Sequence, residues 1–546
     1  MPSRESTFSQ SESLPPNIRA YLEEYLAYGS HFVDPPQVRL ALATQGIDAD
    51  LSAADVATTV AYQCYQPGVT PMRHREPEKS QRVLDITLDG GHHTTRQHMY
   101  YCWHLVGISR SALHDVFHAH PYYNSEQQSQ RYAEARAGYF LLPAHLHPEQ
   151  REHYERSADF MNQAYFQLLE ALQPYVLERI GQMYPSSRWL VDRTQKRLEE
   201  KAKKICQEIA RYVLPIAQKT NLYHTLSELQ LLRLFRASQI GHFTEEVRYI
   251  IARMVGEVGQ HDPSIYRELR TPVKIDQHPQ IPHDEKRVYC ANFDAALDST
   301  QSKQSAITGN PRDVLTSAIQ NALCEPAHSI TYERALQMLF DPHENGLWAD
   351  VFDSGMHDPV TQAARNVSVT FLTRLSHTAD SQRQRHRMTP GTTPPISASY
   401  TGIPDYVTPL IIRETPELAQ LYDSMMESIY AHVEAALKVG VPLEYAHALL
   451  PNAHTLRVVE SGDVFDWVHR LRLRLCYLAQ EEIFFISLEQ AKAFVEEFPE
   501  GRDLFLAPCG VRKAAAITPK CPEGDRWCGK PVYNWDLDTY AEGRLI

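Results

Sequence analysis

Three guanidiniums and an imidazole fall within six residues at Gln382-Arg383-Gln384-Arg385-His386-Arg387. Arginine is always charged and presents paired donors, so such a run suits a phosphate or a polarised carbonyl. A second basic group follows in Arg457 and then Arg470, Arg472 and Arg474. The whole chain carries 54 Lys and Arg against 67 Asp and Glu, a net charge of −13. It therefore repels polyanions overall and is a poor coat for duplex nucleic acid, so an anionic ligand must be held by a local concentration of cations. The tripeptide carries little by itself, since Arg73-His74-Arg75 is another with nothing related around it. Arg470, Arg472 and Arg474 alternate with leucines and would spread over much of a helix circumference, so at least one is expected to be a surface charge.

The nine cysteines are odd in number and mostly scattered, and the opening Met-Pro-Ser-Arg-Glu-Ser has no apolar signal core. A reducing, cytoplasmic setting is expected. Cys509, Cys521 and Cys528 stand close together in a Gly- and Pro-containing tail. They would offer three thiolates to zinc with no fourth ligand apparent, and the competing reading is plain buried or unmodified thiols. No other residues are assigned to a metal.

The elements that must position these groups are written twice. Ser109-Arg110 leads to His118-Ala119-His120, and Ser376-His377 leads to Arg385-His386-Arg387. Each triplet runs on to a Ser-x-x-Tyr, Ser129-Gln130-Arg131-Tyr132 and Ser397-Ala398-Ser399-Tyr400. Then come Leu214-Pro215 and Leu450-Pro451, a helical stretch bearing Arg236 or Arg474, and Glu246-Val247 or Glu482-Ile483. The offset between copies is 267 to 268 at the first landmarks and 236 to 238 at the later ones. The first copy thus holds about 30 extra residues, assigned to the charged stretch near 190 to 205, which reads as a solvated helix face.

Helical spacing supports the duplication. Met161, Ala164, Tyr165, Leu168, Leu169 and Leu172 form one apolar stripe, and Leu418, Leu421, Tyr422, Met425, Met426 and Ile429 form another. Thr415 followed by Pro416 marks the start of the second helix, and Gly440 its stop. Val247 to Val255 predicts a further helix. Aromatic and β-branched residues at Tyr100 to Ile108 and Val367 to Phe371 predict strands. The fold class expected is α+β, two tandem helix-rich copies with a sheet in each. The copies are placed at residues 20–260 and 291–495, with a linker at 261–290 and a Cys-, Pro- and Gly-containing tail at 496–546. With 43% hydrophobic and 22% charged residues the composition is that of a folded soluble protein, and no apolar run approaches a membrane span.

In order and spacing, both halves resemble the flavin-dependent thymidylate synthases, whose signature is Arg-His-Arg, a short loop, then Ser-x-Arg-Tyr. The second copy adds Leu450-Pro451-Asn452-Ala453-His454-Thr455-Leu456-Arg457, Trp467-Val468-His469, Arg474 and Ala479-Gln480-Glu481-Glu482-Ile483. The first gives His92-His93-Thr94, Gln97-His98, Ser129-Gln130-Arg131-Tyr132, Leu214-Pro215, Arg236 and Glu246-Val247. The resemblance implies a methyltransferase that converts dUMP to dTMP with FAD, NADPH and methylenetetrahydrofolate. By that resemblance Arg474 activates the uracil ring, and Ser129, Gln130, Arg131, Gln382 and Arg457 contact the nucleotide. Arg385, His386, Arg387, His469 and Thr94 hold the flavin. The competing implications are a flavin-dependent change to another pyrimidine nucleotide, or a non-catalytic flavin- or nucleotide-binding homologue.

Neither copy is complete, and the defects are complementary. The first has His118-Ala119-His120 for Arg-His-Arg, and Thr220-Asn221 for Thr-Arg. The second has Ser399 for the arginine of Ser-x-Arg-Tyr, Arg365-Asn366 for Glu-His, and Asp463 for an asparagine. Family sites draw residues from more than one subunit, so a site composed of both copies is expected. Since relatives are tetramers of single copies, the resemblance implies a homodimer of this double-length chain.

Overall fold

The computed structural model describes residues 14–44, 51–119, 122–183, 192–275, 281–326, 328–544 and 546. It contains two four-stranded antiparallel sheets of matching topology. Strands β1 (Gln37–Ala43), β2 (Tyr100–Ser109), β3 (Asn124–Gln127) and β4 (Lys219–Ser227) lie in the order β1-β2-β4-β3. Strands β5 (Ser302–Ile307), β6 (Ser368–Ser376), β7 (Gly391–Thr392) and β8 (Thr455–Asp463) repeat it as β5-β6-β8-β7. The long central strands follow from alternation: β2 buries Tyr101, Trp103 and Leu105, and β6 buries Val369, Phe371, Thr373 and Leu375. At the β2–β4 register shift Gly107 takes φ +76, a left-handed conformation that glycine adopts without a Cβ clash.

Both predicted stripes are helices, Pro148–Met183 and Pro416–Lys438, and the second starts at the proline after Thr415. Gly440 follows its end at φ +83. Val247 to Val255 lies in Glu245–His261. The surplus in the first copy includes the 19-residue helix Asp192–Ala210, which buries Leu198, Ala202, Cys206 and Ile209 and exposes Glu199, Glu200, Lys203 and Lys204; the long helix before it is also longer than its counterpart, 36 residues against 23. No described helix is long and apolar enough to cross a membrane.

The chain forms two compact units whose segments interleave. The first holds residues 1–162, 215–280 and 431–450, and the second 163–214, 281–430 and 451–546. Two of the boundaries fall inside the Leu-Pro landmarks, between Leu214 and Pro215 and between Leu450 and Pro451. Each unit therefore incorporates a stretch of the other copy. The first core gathers Tyr101, Trp103, Leu231, Phe235, Ile250 and Met254. The second gathers Phe371, Trp467, Leu471, Phe484, Phe494 and Phe505, joined by Val532 and Tyr540 from the C-terminal segment.

Candidate functional site

In the second unit β6 ends at Ser376, whose hydroxyl caps the helix His377–Arg383 by accepting from the Ala379 N–H at 3.0 Å. The chain then turns, with Arg385 exposed, His386 buried and Arg387 half-buried. Asp463 caps the helix Val464–Arg474, which ends on Arg474. Arg474 Nε donates to His386 Nε2 at 2.7 Å, and its Nη2 donates to the Gln382 carbonyl at 2.8 Å. Three of the expected site residues thus meet. A guanidinium can only donate, so His386 accepts as a neutral imidazole with its proton on Nδ1. Burial, then the charges of Arg474 and Arg470, hold its pKa well below the usual histidine value.

The Gln382 side chain opens a buried chain of hydrogen bonds. Its amide donates to Gln480 Oε1, Gln480 donates to the Tyr212 hydroxyl, and Tyr212 donates to Glu482. The amide oxygen of Gln382 is buried with no hydrogen-bond partner. His469 lies with its ring 6.1 Å from that of His386, and its Nδ1 is 3.0 Å from Asp353. Tyr212 and Asp353 carried no sequence signal, because neither belongs to a repeated landmark.

The arginines beside Arg474 correct one expectation. None of the three is an open surface charge: Arg470 is fully buried, and Arg472 and Arg474 are partly so. Arg470 makes a two-pronged pair with Glu460 at 2.6 and 3.0 Å, and Arg472 donates to Asp353. Carboxylates from other elements supply the partners, which helical spacing alone does not reveal.

Arg457 is held inside the fold. Its Nε and Nη2 donate to Asp294 at 2.8 and 2.6 Å, and its Nη1 donates to Asp405 at 2.7 Å. Arg374 reaches the other oxygen of Asp405 at 2.9 Å. Burial opposes ionisation of Asp405, but Arg457 and Arg374 outweigh it and its pKa is lowered. Ser399 pairs its hydroxyl with His454 Nε2 at 2.9 Å, while Tyr430 pairs with Nδ1 at 2.9 Å. Two departures from the family pattern also compensate each other: Arg365 donates to Asp463 at 2.9 Å and to Asp466 at 3.3 Å.

In the first unit Ser129 and Gln130 line an open pocket of about 330 Å³ together with Arg110, Arg136, Lys219 and Thr220. Lys219 is buried and donates to the Asp34 carboxylate at 3.0 Å and to its carbonyl at 2.8 Å. Gln218, also lining the pocket and 3% exposed, has an amide oxygen with no partner. Arg131 is not among the lining residues; its guanidinium lies 5.5 Å from the Tyr132 ring. Thr94 is exposed on the turn His93–Gln97. His120 lies outside the described residues, as do the side chains of His118 and Ala119. Asn221, where the family has arginine, accepts from the Gly107 N–H and the Tyr139 hydroxyl at 3.0 Å each. Arg110 and Lys219 are contributions the sequence reading missed, the first noted only as a landmark.

The donor set suits anionic, hydrogen-bonding ligands. Arg385 and Arg387 flank a neutral buried imidazole on one turn, cations suited to anionic groups, and Gln382 presents an unmatched acceptor beside Arg474. A family model described as thymidylate synthase complementing protein matches residues 47–264 and 314–500. The chain belongs to this family. A flavin-dependent thymidylate synthase from Clostridium tetani is 26% identical over 217 residues, 39% of this chain and 80% of that protein. One from Geobacter sulfurreducens is 29% identical over 180 residues, 30% of this chain and 69% of that protein. One from Mycolicibacterium vanbaalenii is 26% identical over 262 residues, 47% of this chain and 93% of that protein. Each match spans less than half of this chain but most of the relative, as a double-length member requires. The family is one of enzymes, and each matched region covers three strands of one sheet, β2 to β4 in the first and β6 to β8 in the second, with β1 and β5 lying just before them.

Proposed function

We propose that the protein is an FAD-dependent enzyme that methylates dUMP to dTMP, with methylenetetrahydrofolate and NADPH as cosubstrates. The observation that carries this reading is Arg474, oriented by His386 and the Gln382 carbonyl in a half-buried setting. Carbon 5 of a uracil ring is a weak nucleophile, and a fixed cation at a ring carbonyl or the deprotonated ring nitrogen draws density that activates it. Arg474 serves that role without moving a proton. His386, neutral because it is buried among arginines, fixes the guanidinium plane.

Arg385, Arg387 and His469 would hold the flavin, with Thr94 contributing from the first copy. Bound flavin supplies the redox step and the relay of the one-carbon unit. Ser129, Gln130 and Arg131 would bind the nucleotide phosphate, helped by the cations Arg110 and Lys219 around the pocket. Both copies would then contribute to each working site, and the active species would be a homodimer in the cytoplasm. Arg457 is engaged by Asp294 and Asp405, which favours a holding role for it over direct contact with the nucleotide. The purified protein incubated with dUMP, NADPH and methylenetetrahydrofolate should form dTMP. Bound flavin without dTMP would favour a reaction on another pyrimidine nucleotide, and a colourless protein that binds only nucleotide would favour a non-catalytic homologue.

A further inference from the structure

The segment after Glu497 is built from short pieces, chiefly the helices Pro508–Ala514 and Leu537–Glu542 joined by turns. Such pieces bury little apolar surface each, and small loop-rich elements are commonly fixed by a metal or a cross-link. None of the nine cysteines is in a disulfide.

The fold adds to the three tail cysteines a fourth from outside the tail. Cys476 stands two residues beyond Arg474 and lines one pocket of about 350 Å³ with Cys509, Cys521 and Cys528. The pocket wall is completed by Tyr477, Pro508 and Trp527 among others. Cys476 and Cys509 are each near enough to Cys521 and Cys528 for their charges to interact. The Cys528 thiol also donates to the Lys530 carbonyl at 3.7 Å, within the turn that carries it.

We propose that Cys476, Cys509, Cys521 and Cys528 form a tetrathiolate zinc site that fastens the C-terminal segment to the end of the helix carrying Arg474. Four sulfurs select a tetrahedral thiophilic ion, and a closed set with no open position marks a structural role. Zn²⁺ takes the place of four thiol protons, which pass to solvent, and nothing is oxidised or reduced. A dication replaces the thiol protons and removes the mutual repulsion that four neighbouring thiolates would otherwise have. Among the described residues no three of these sulfurs lie within 4.8 Å of one another, so metal binding draws the turns inward until each sulfur is about 2.3 Å from zinc. The consequence for the candidate site is positional: the metal would pin the backbone just after Arg474. The same segment is gripped by the tail in two further places, where Tyr477 donates to the Tyr540 carbonyl at 2.6 Å and Arg544 donates to that of Ala479 at 2.6 Å.

Among the described residues, His31, His145 and Glu245 also bring three ligand atoms close enough together to hold a cation. There His31 Nδ1 is already 2.7 Å from Glu245, and the Tyr445 hydroxyl donates to the same carboxylate oxygen at 2.6 Å. It provides the internal control. The full chain, purified without chelator, should carry one zinc, released stoichiometrically on mercurial titration of thiols and read with a chromogenic chelator. Replacement by Co²⁺ should give the intense visible bands and thiolate charge-transfer absorption of a tetrahedral sulfur site. Cys476→Ser and Cys528→Ser should each lose tight zinc, whereas Cys64→Ser and His145→Ala should keep it. The proposal fails if the wild-type chain neither contains nor takes up zinc, if the Co²⁺ spectrum is that of an octahedral oxygen and nitrogen site, or if zinc survives in the Cys476 and Cys528 variants. It fails equally if mass spectrometry of unreduced protein finds a disulfide among the four. The wild-type Co²⁺ spectrum decides the matter even where a variant does not fold.

Discussion

The Glu482 carboxylate receives both the backbone N–H and the hydroxyl of Ser376, each at 2.6 Å, across 106 residues of sequence. Glu246 holds Ser109 in the same way in the first copy, at 2.8 and 2.5 Å. In both places the serine ends the second strand of the sheet, and its hydroxyl accepts an N–H from three residues downstream at 3.0 Å. The carboxylate thus ties the strand end that precedes the site to the helix that closes the repeat. Glu482→Ala leaves the Ser376 N–H and the Tyr212 hydroxyl unmet in a buried place. It should cost about 2–4 kcal/mol in urea unfolding, and Glu482→Gln, which keeps an acceptor, about half of that.

Burial raises the pKa of Glu246 from 4.5 to about 7, against the lowering effect of its two bonds from Ser109. The folded state therefore holds this proton more tightly than the unfolded chain. The stabilisation is complete below the unfolded value and is lost as pH rises through the folded one. Relative to Glu246→Gln, the wild type should lose stability between about pH 4.5 and about pH 7. Urea midpoints at several pH values test this, and parallel profiles for the two proteins would remove the buried proton from the account.

Arg474→Ala should leave the fold and flavin content intact while lowering turnover a hundredfold or more, the usual effect of deleting a partner for transition-state charge. Its repeat counterpart Arg236 is exposed and donates to the Thr271 carbonyl, so Arg236→Ala should matter far less. Steady-state dTMP formation measures both. Comparable losses at the two positions would mean that each copy keeps a working site.

Arg387→Ala should strip the flavin, seen as lost absorbance in the visible, while His118→Ala costs little. Arg385 and Arg387 are the cationic pair at this landmark, and the first copy has His118 and His120 there instead. Equal flavin loss in both variants would overturn the assignment.

Arg457→Ala should act first on stability. Removing the guanidinium leaves Asp405, whose side chain is 17% exposed, to Arg374 alone, and takes the closer partner from the more exposed Asp294, at a cost of about 2–3 kcal/mol. Because the Asp405 pKa is lowered in the folded protein, its contribution is present above the unfolded carboxyl value and lost as pH falls through the folded one. Thermal melts of the variant should accordingly sit far below wild type at neutral pH and converge with it in acid. A variant as stable as wild type, with a raised nucleotide requirement, would return Arg457 to the substrate.

If both copies contribute to one site, titration with dUMP should saturate at one nucleotide per chain, and light scattering should give the mass of a dimer. Two nucleotides per chain would contradict the shared site, as would full activity in a chain bearing Arg131→Ala.

The duplication, the central strands, both long helices and the order of the landmarks were determined by sequence, because each rests on local periodicity or on residues repeated at a fixed offset. The order of landmarks did not say which would touch; the structure joins Ser376 to Glu482 and Arg474 to His386. The tertiary structure alone decided what neutralises each arginine. Glu460 takes Arg470, Asp294 and Asp405 take Arg457, and Asp463 takes Arg365, so a run that reads as uniformly basic keeps only some of its charge for a ligand. It also brought Cys476 to the tail cysteines, and Arg110 and Lys219 to Ser129. The partners in these sets come from separate elements, and no spacing rule links residues that far apart. Which carboxylate reaches which guanidinium, and which thiol joins which, follows from how helices and strands pack once their apolar faces are buried.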